Sequence, residues 1–199
     1  SDGHDLIGLA PYFAKVLPDA KFIAPNAPEP FDQASFGYQW FSLGDMSMER
    51  RLAGTKAAKP ILDDFIDEQL AAHGLIEKDL ALVGFSQGTM VSLYTGLRRQ
   101  HQLACIIGYS GMLVGEELLK DEVKSFPPVL LMHGDADDIL APENLTLAAN
   151  ALKTVGITVR SEMRPGLGHS LDERCIMMGM EFLAENFGVP LPHPKPADA

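Results

Sequence analysis

Cysteine is nearly absent from this 199-residue chain: Cys105 and Cys175 are the only two. That is too few for a disulfide framework, and no Cys/His spacing matches a zinc site, so neither a metal nor any other cofactor is expected. Both sit in apolar settings, Ala-Cys-Ile-Ile and Arg-Cys-Ile-Met-Met, which predicts free, buried thiols and a reducing, cytoplasmic setting. Long apolar runs are absent as well. A membrane span needs about 18 such residues, whereas the longest here, such as Leu80 to Phe85, have strand length. Positive charge is in deficit, with 16 Lys and Arg against 27 Asp and Glu and a net charge of −11. That field repels phosphate backbones and anionic membranes, which argues against nucleic acid as a partner. No secretory signal and no internal repeat is visible. The rest is ordinary globular usage, 46% hydrophobic and 22% charged, in a length suited to one domain around one core.

Strand-length apolar runs recur between helix-length segments. They are Phe22 to Ala24, Leu80 to Val83 before Gly84, Ala104 to Ile107 before Gly108, Val129 to Met132 before His133-Gly134, and Ile157 to Met163 before Pro165-Gly166. The middle three are continuously apolar, as expected of parallel strands covered on both faces. Ile61, Leu62, Phe65, Ile66, Gln69 and Leu70 share one helical face, opposite Asp63, Asp64, Asp67 and Glu68, and Gly74 stands at the C-terminal cap. Thr89 to Leu97, Glu143 to Val155 and Leu171 to Phe187 also read as helices. In the second, Pro142 falls in the first turn and Gly156 at the stop. Alternating strands and helices of these lengths predict an α/β, mostly parallel, doubly wound sheet flanked by helices.

Two segments break this rhythm. The 24–48 stretch carries three prolines with Phe31, Phe36, Tyr38, Trp40 and Phe41; it is either a lid or pocket wall, or a folded-back satellite of the core. The proline-alternating 189–199 segment reads as an extended tail after a single domain over 1–188.

The sharpest chemical signal is Gly84-Phe85-Ser86-Gln87-Gly88, between a strand and a helix. A serine at the top of so tight a turn takes a strained backbone, and glycines on both sides are expected to relieve collisions. The turn lifts the hydroxyl from the sheet and aims the first helical amides where an oxyanion would form. The plainer alternative is that Ser86 only caps the helix.

A serine hydroxyl needs a base, and six histidines are available. His4, His73, His101 and His193 suit solvated positions, and His133 ends a strand in His-Gly-Asp, where a structural hydrogen bond suits it. His169, in the glycine-rich 165–170 loop after the last strand, is the candidate base, since α/β sheets carry active groups at carboxyl strand ends. The imidazole in turn needs a carboxylate. Among Asp135, Asp137 and Asp138, Asp137 is the choice, with Asp135 forming the turn. The chain order Ser86, Asp137, His169 is that of α/β-hydrolases.

Together these residues resemble the phospholipase/carboxylesterase family of α/β-hydrolases, which includes acyl-protein thioesterases. Gly-Phe-Ser-Gln-Gly at 84–88 resembles its nucleophile signature, His133 to Asp137 its acid-bearing motif, and Gly168-His169-Ser170 its histidine loop. Gln39-Trp40-Phe41 and Pro25-Asn26-Ala27-Pro28 resemble its substrate-side loop. The resemblance implies hydrolysis of short to medium carboxylic esters or thioesters, small-molecule substrates, with Ser86 attacking, His169 moving the proton, and the Gln87 backbone N–H as one oxyanion donor. It further implies that Trp40 and Phe41 wall the acyl pocket; a homodimer is left open. One departure stands out: the His-Gly-x-Gly turn that supplies the second donor in the family is not in this sequence. Residues 1–6 resemble the stretch just C-terminal to that turn, so either a further N-terminal segment carrying it precedes Ser1, which is the expectation, or the chain is a truncated product. Two other readings remain open: a non-catalytic binding protein with an incomplete oxyanion hole, and a peptidase or lactone hydrolase using the same triad.

Overall fold

A computed structural model describes residues 2–45 and 47–191. Two short helices, α1 (Gly3–Ile7) and α2 (Ala10–Phe13), lead into a loop holding a two-residue ribbon of β1 (Glu29–Pro30) and β2 (Tyr38–Gln39). Next come α3 (Met48–His73), β3 (Ala81–Phe85), α4 (Gln87–Gly96), β4 (Cys105–Tyr109), α5 (Glu116–Glu122), β5 (Val129–Gly134), α6 (Glu143–Thr154), β6 (Val159–Arg164) and α7 (Glu173–Phe187). Strands β3 to β6 form one parallel sheet in chain order. The predicted α/β class holds.

Side chains on a strand alternate between faces, and here both faces are covered. Ile106 of β4 with Val129 and Leu131 of β5 packs under α4 and α6. Cys105, Ile107 and Tyr109 with Leu130 and Met132 pack under α2 and α7. This double burial is why β4 and β5 read as unbroken apolar runs. Both cysteines are free and buried. Burial pushes the thiol pKa up to about 12 at Cys105 and about 11 at Cys175, so both are unreactive at neutral pH.

One expectation needs correction. Residues 22–24 form no strand: Phe22 packs on the α7 side of the core instead, and Pro25 has no N–H to continue a ladder. Helix α3 carries the face read from Ile61 to Leu70 and extends further toward the N-terminus, running through Pro60 from a Ser47 cap. The missing N–H frees only the Lys56 carbonyl, on an exposed turn where water can take its place. The buried stripe Thr55, Ala58, Leu62, Ile66 and Leu70 lies on both sides of Pro60 and holds the helix against the core. On the acidic face of α3, Asp63 accepts from the buried Arg99 at 2.9 Å and Asp67 also pairs with it.

At the sheet edge, β3 has no strand on its outer side among the described residues. An apolar trench of about 790 Å³ runs along it, between Leu6, Phe13 and Ile23 on one side and Trp40, Phe65 and Ile66 on the other. Of the predicted 189–199 tail, residues 192–199 lie outside the described residues.

Candidate active site

All three sequence-predicted groups come from carboxyl ends of the parallel strands: Ser86 after β3, Asp137 after β5 and His169 after β6. Ser86 has φ +52° and ψ −116°, one of two non-glycine residues with positive φ among the described residues. Such a backbone costs about 1–3 kcal/mol and persists only where its surroundings hold it. Here the Ser86 N–H bonds Tyr109 O at 2.9 Å and its carbonyl accepts from Thr89 N at 3.0 Å. Its side chain makes no capping bond to α4, so the plain helix-cap reading fails. Ser86 is left partly exposed.

The glycines flanking Ser86 act differently from expectation. A Cβ on Gly84 would lie 2.5 Å from the Gly88 carbonyl group and from Thr89 N. A Cβ on Gly88 would meet nothing within 4 Å. The turn therefore requires glycine at 84, where β3 passes against the opening backbone of α4, and leaves open space at 88.

Gln87 has a role that the sequence reading missed beyond its backbone. Its side-chain Oε1 accepts from Trp40 N at 2.7 Å and its Nε2 donates to Phe41 O at 2.8 Å. One amide thus pins the aromatic segment of the long loop to the residue following Ser86. Phe41 is buried and packs so closely on α3 that a Cβ at Gly54 would stand 2.4 Å from its ring. Trp40 stays half-buried and lines the trench beside Val83 and Gly88. At the N-terminal end of the same loop, Asn26 Oδ1 accepts from Gly3 N at 2.8 Å and ties α1 down.

Asp137 and His169 meet. His169 Nδ1 lies 2.8 Å from Asp137 Oδ2, and because an ionised carboxylate only accepts, Nδ1 carries the hydrogen. The His169 ring packs on Phe85, the residue before Ser86, with ring centres 4.9 Å apart. The other oxygen of Asp137, Oδ1, accepts from Ile139 N and Leu140 N, both at 2.9 Å. Burial alone would raise the Asp137 pKa; the Leu140 amide, the His169 hydrogen bond and the Ile139 amide outweigh it and hold the carboxyl below its usual range. Asp137 is therefore a buried anion at neutral pH, with its negative charge facing His169.

The histidine loop reaches Asp137 because Gly134 has no side chain. A Cβ there would stand 1.9 Å from Leu167 O. With that space open, Ala136 N bonds Leu167 O at 3.0 Å and Gly166 N bonds Asp135 Oδ1 at 2.6 Å.

The remaining candidates lie apart. His4, His73 and His101 are exposed, and His193 falls outside the described residues. Asp135 and Asp138 are exposed, Asp135 serving the loop contact above. His133 is buried at 2% exposure with Nε2 3.0 Å from Leu140 O, the structural hydrogen bond expected of it. Among the described residues no cluster of three His, Cys, Asp or Glu side chains could hold a metal ion.

Comparisons with known proteins bear on this arrangement. A sequence profile of the phospholipase/carboxylesterase family matches residues 1–187. Acyl-protein thioesterase 1 of Gibberella zeae is 31% identical over 169 residues, which cover 77% of this chain and 72% of that protein. The esterase YpfH of Escherichia coli is 25% identical over 172 residues, covering 86% and 72% respectively. Among solved structures, that of the esterase PE8 superposes with a TM-score of 0.90 at 42% identity, covering 93% of this chain and 87% of that one.

Proposed function

The chain belongs to the phospholipase/carboxylesterase family and has its α/β-hydrolase fold, and from that premise we propose that it is a serine esterase or thioesterase in which Ser86, His169 and Asp137 form the catalytic triad. The observation that carries this reading is the 2.8 Å contact of His169 Nδ1 with a buried, ionised Asp137, beside a serine held at positive φ.

Ser86 Oγ attacks the carbonyl carbon of a bound ester or thioester while His169 Nε2 takes the hydroxyl proton. The tetrahedral oxyanion lies at the start of α4, where first-turn amides have no intrahelical acceptor, and the Gln87 N–H donates to it. The imidazolium then protonates the leaving oxygen or sulfur as its bond to carbon breaks, leaving an acyl-Ser86. Water, deprotonated by the same imidazole, releases the carboxylic acid and regenerates the hydroxyl. Asp137 holds the Nδ1–H tautomer throughout and offsets the transient positive charge. No hydrogen bond joins the Ser86 hydroxyl to His169 among the described residues, and the mechanism requires that bond to form when substrate binds, as such bonds commonly do.

The acyl group, short to medium in length, is read as lying against Trp40, which the Gln87 amide fixes next to Ser86. Each methylene that loses apolar contact costs about 0.8 kcal/mol, about fourfold in binding. Trp40→Ala is therefore expected to raise KM for hexanoyl and octanoyl esters by about tenfold or more and for acetyl esters by less than about twofold. Equal effects across the series would make Trp40 a packing residue.

The assay that tests the whole reading is turnover of chromogenic oxygen and sulfur esters of graded acyl length. The expected result is hydrolysis whose rate rises as the imidazole loses its proton; no turnover of any ester would end the assignment. Gly134→Ala offers a geometric check. The added methyl forces the histidine loop away by about 1 Å or more, and misplacements of that size cost about 10²-fold. We expect kcat/KM to fall by that factor, measured beside a thermal melt that shows the variant folded.

A further inference from the structure

His133 ends β5, a strand otherwise made of Val129, Leu130, Leu131, Met132 and Gly134. A fully buried imidazole in such a strand calls for a polar reason. Its Nε2 is 3.0 Å from Leu140 O and 2.9 Å from Asp137 Oδ2. Both oxygens only accept while Asp137 is ionised, and a bare nitrogen lone pair would repel them both. Nε2 therefore carries the hydrogen, in line with Leu140 O and with Asp137 Oδ2 close by off the axis.

That hydrogen closes a turn on itself. Asp137 Oδ1 gathers the amides of Ile139 and Leu140, and the carbonyl of the same Leu140 is held by His133, four residues before Asp137. The 137–140 segment is thus fastened to the end of β5 from within the core, and the one oxygen left to face outward is Oδ2, 2.8 Å from His169 Nδ1. Two imidazoles flank Oδ2, but only His169 is partly exposed on the reacting side; the His133 side chain is 1% exposed and that of His169 16%.

We propose that His133 is a positioning residue for catalysis, its Nε2–H locking the 137–140 turn so that Asp137 Oδ2 stays aimed at His169. The inference rests on the proposed catalytic roles of Asp137 and His169. The ionisable side chains around this pair are His133, Asp135 and Asp138 from the end of β5, and Arg164 and Asp172 at the ends of the histidine loop, paired with each other at 3.0 Å. None but His133 is altered by the test.

The variants are His133→Leu, which removes the N–H, and His133→Gln, whose amide nitrogen can reach the same place. Supporting groups behind a reacting residue typically contribute about 10–100-fold. We expect His133→Leu to lower kcat by about 20-fold with KM within about twofold. With the turn unlocked, Asp137 Oδ2 is held less squarely toward Nδ1 and offsets the imidazolium charge less, so the acid limb of the kcat/KM profile should move down. His133→Gln should restore kcat to within about threefold and return the limb to the parent position. A folded Leu variant with the parent limb, or a Gln variant no better than Leu, would overturn the proposal.

If His133→Leu does not fold, the intact protein still answers through imidazole ¹⁵N NMR. His133 should show a protonated Nε2 throughout the range of activity; an Nδ1–H tautomer with bare Nε2 overturns the inference. Ser86→Ala and Asp137→Asn, assayed in parallel, separate the two levels. Full activity in those two variants defeats the triad itself. Loss of activity in them, with an unshifted His133→Leu profile, defeats only the role given to His133.

Discussion

Replacing Ser86 with alanine is expected to lower ester turnover by about 10⁵- to 10⁶-fold, to the level left by binding and the oxyanion site alone. The size reflects the job of the hydroxyl. In the proposed mechanism it is the group that forms the covalent bond, and neither neighbour in the turn offers a substitute, Phe85 being apolar and Gln87 an amide already bound to Trp40 and Phe41. Folding should not suffer. The Ser86 side chain caps nothing, and alanine also lacks a branched Cβ, so the variant should keep the parent melting temperature and still bind ester. Affinity near that of the parent with turnover gone is the pattern expected. A variant that hydrolyses ester as fast as the parent would remove Ser86 from the mechanism.

Asp137→Asn is expected to cost about 10⁴-fold in kcat. Its carboxylate accepts three hydrogen bonds, two from amides on Oδ1 and one from His169 on Oδ2, with His133 Nε2 lying 2.9 Å from Oδ2. An asparagine oxygen can keep the Ile139 and Leu140 amides. Its NH₂ must then face His169 Nδ1, which becomes an acceptor and moves the imidazole hydrogen to Nε2. That nitrogen can no longer take a proton from Ser86. Raising the pH should not rescue the variant, because the fault lies in the tautomer. A stability signature accompanies it. The pKa of Asp137 is depressed in the fold, so its ionised form contributes stability that is present above the unfolded value near 3.8 and lost as pH falls through the lower folded value. Acid denaturation of the parent should therefore steepen below about pH 4, a component absent from the Asn variant.

How much of this was legible in the residues divides along one physical line. Signals that act within a few positions of the chain came through. The tight turn at 84–88, the apolar strands β4 and β5 and the cap at Gly74 are set by local sterics and burial period. Asp137 and His169 could be read because a parallel sheet delivers its strand ends to one rim, however far apart they are in sequence. Contacts that cross from one element to another left no such trace. Nothing near Gln87 announces that its amide holds residues 46 and 47 positions earlier, or that Phe41 turns into the core against Gly54 while Trp40 stays at the surface of the trench. Gly84 and Gly88 look alike in sequence, yet only the first lies where backbone approaches backbone. The first turns of α3, before Pro60, are not read as helix, and the packing of Thr55 and Ala58 there holds them in it. Residues 22–24 have strand composition but no ladder to join.

The central claim is an activated hydroxyl at position 86, and a fluorophosphonate probe tests it most directly, since labelling requires a serine deprotonated by its neighbours. The predicted result is one adduct per chain, mapped by peptide mass spectrometry to Ser86, absent from Ser86→Ala and suppressed in His169→Ala. Ester hydrolysis with no label at Ser86, or labelling that proceeds unchanged without His169, would contradict it.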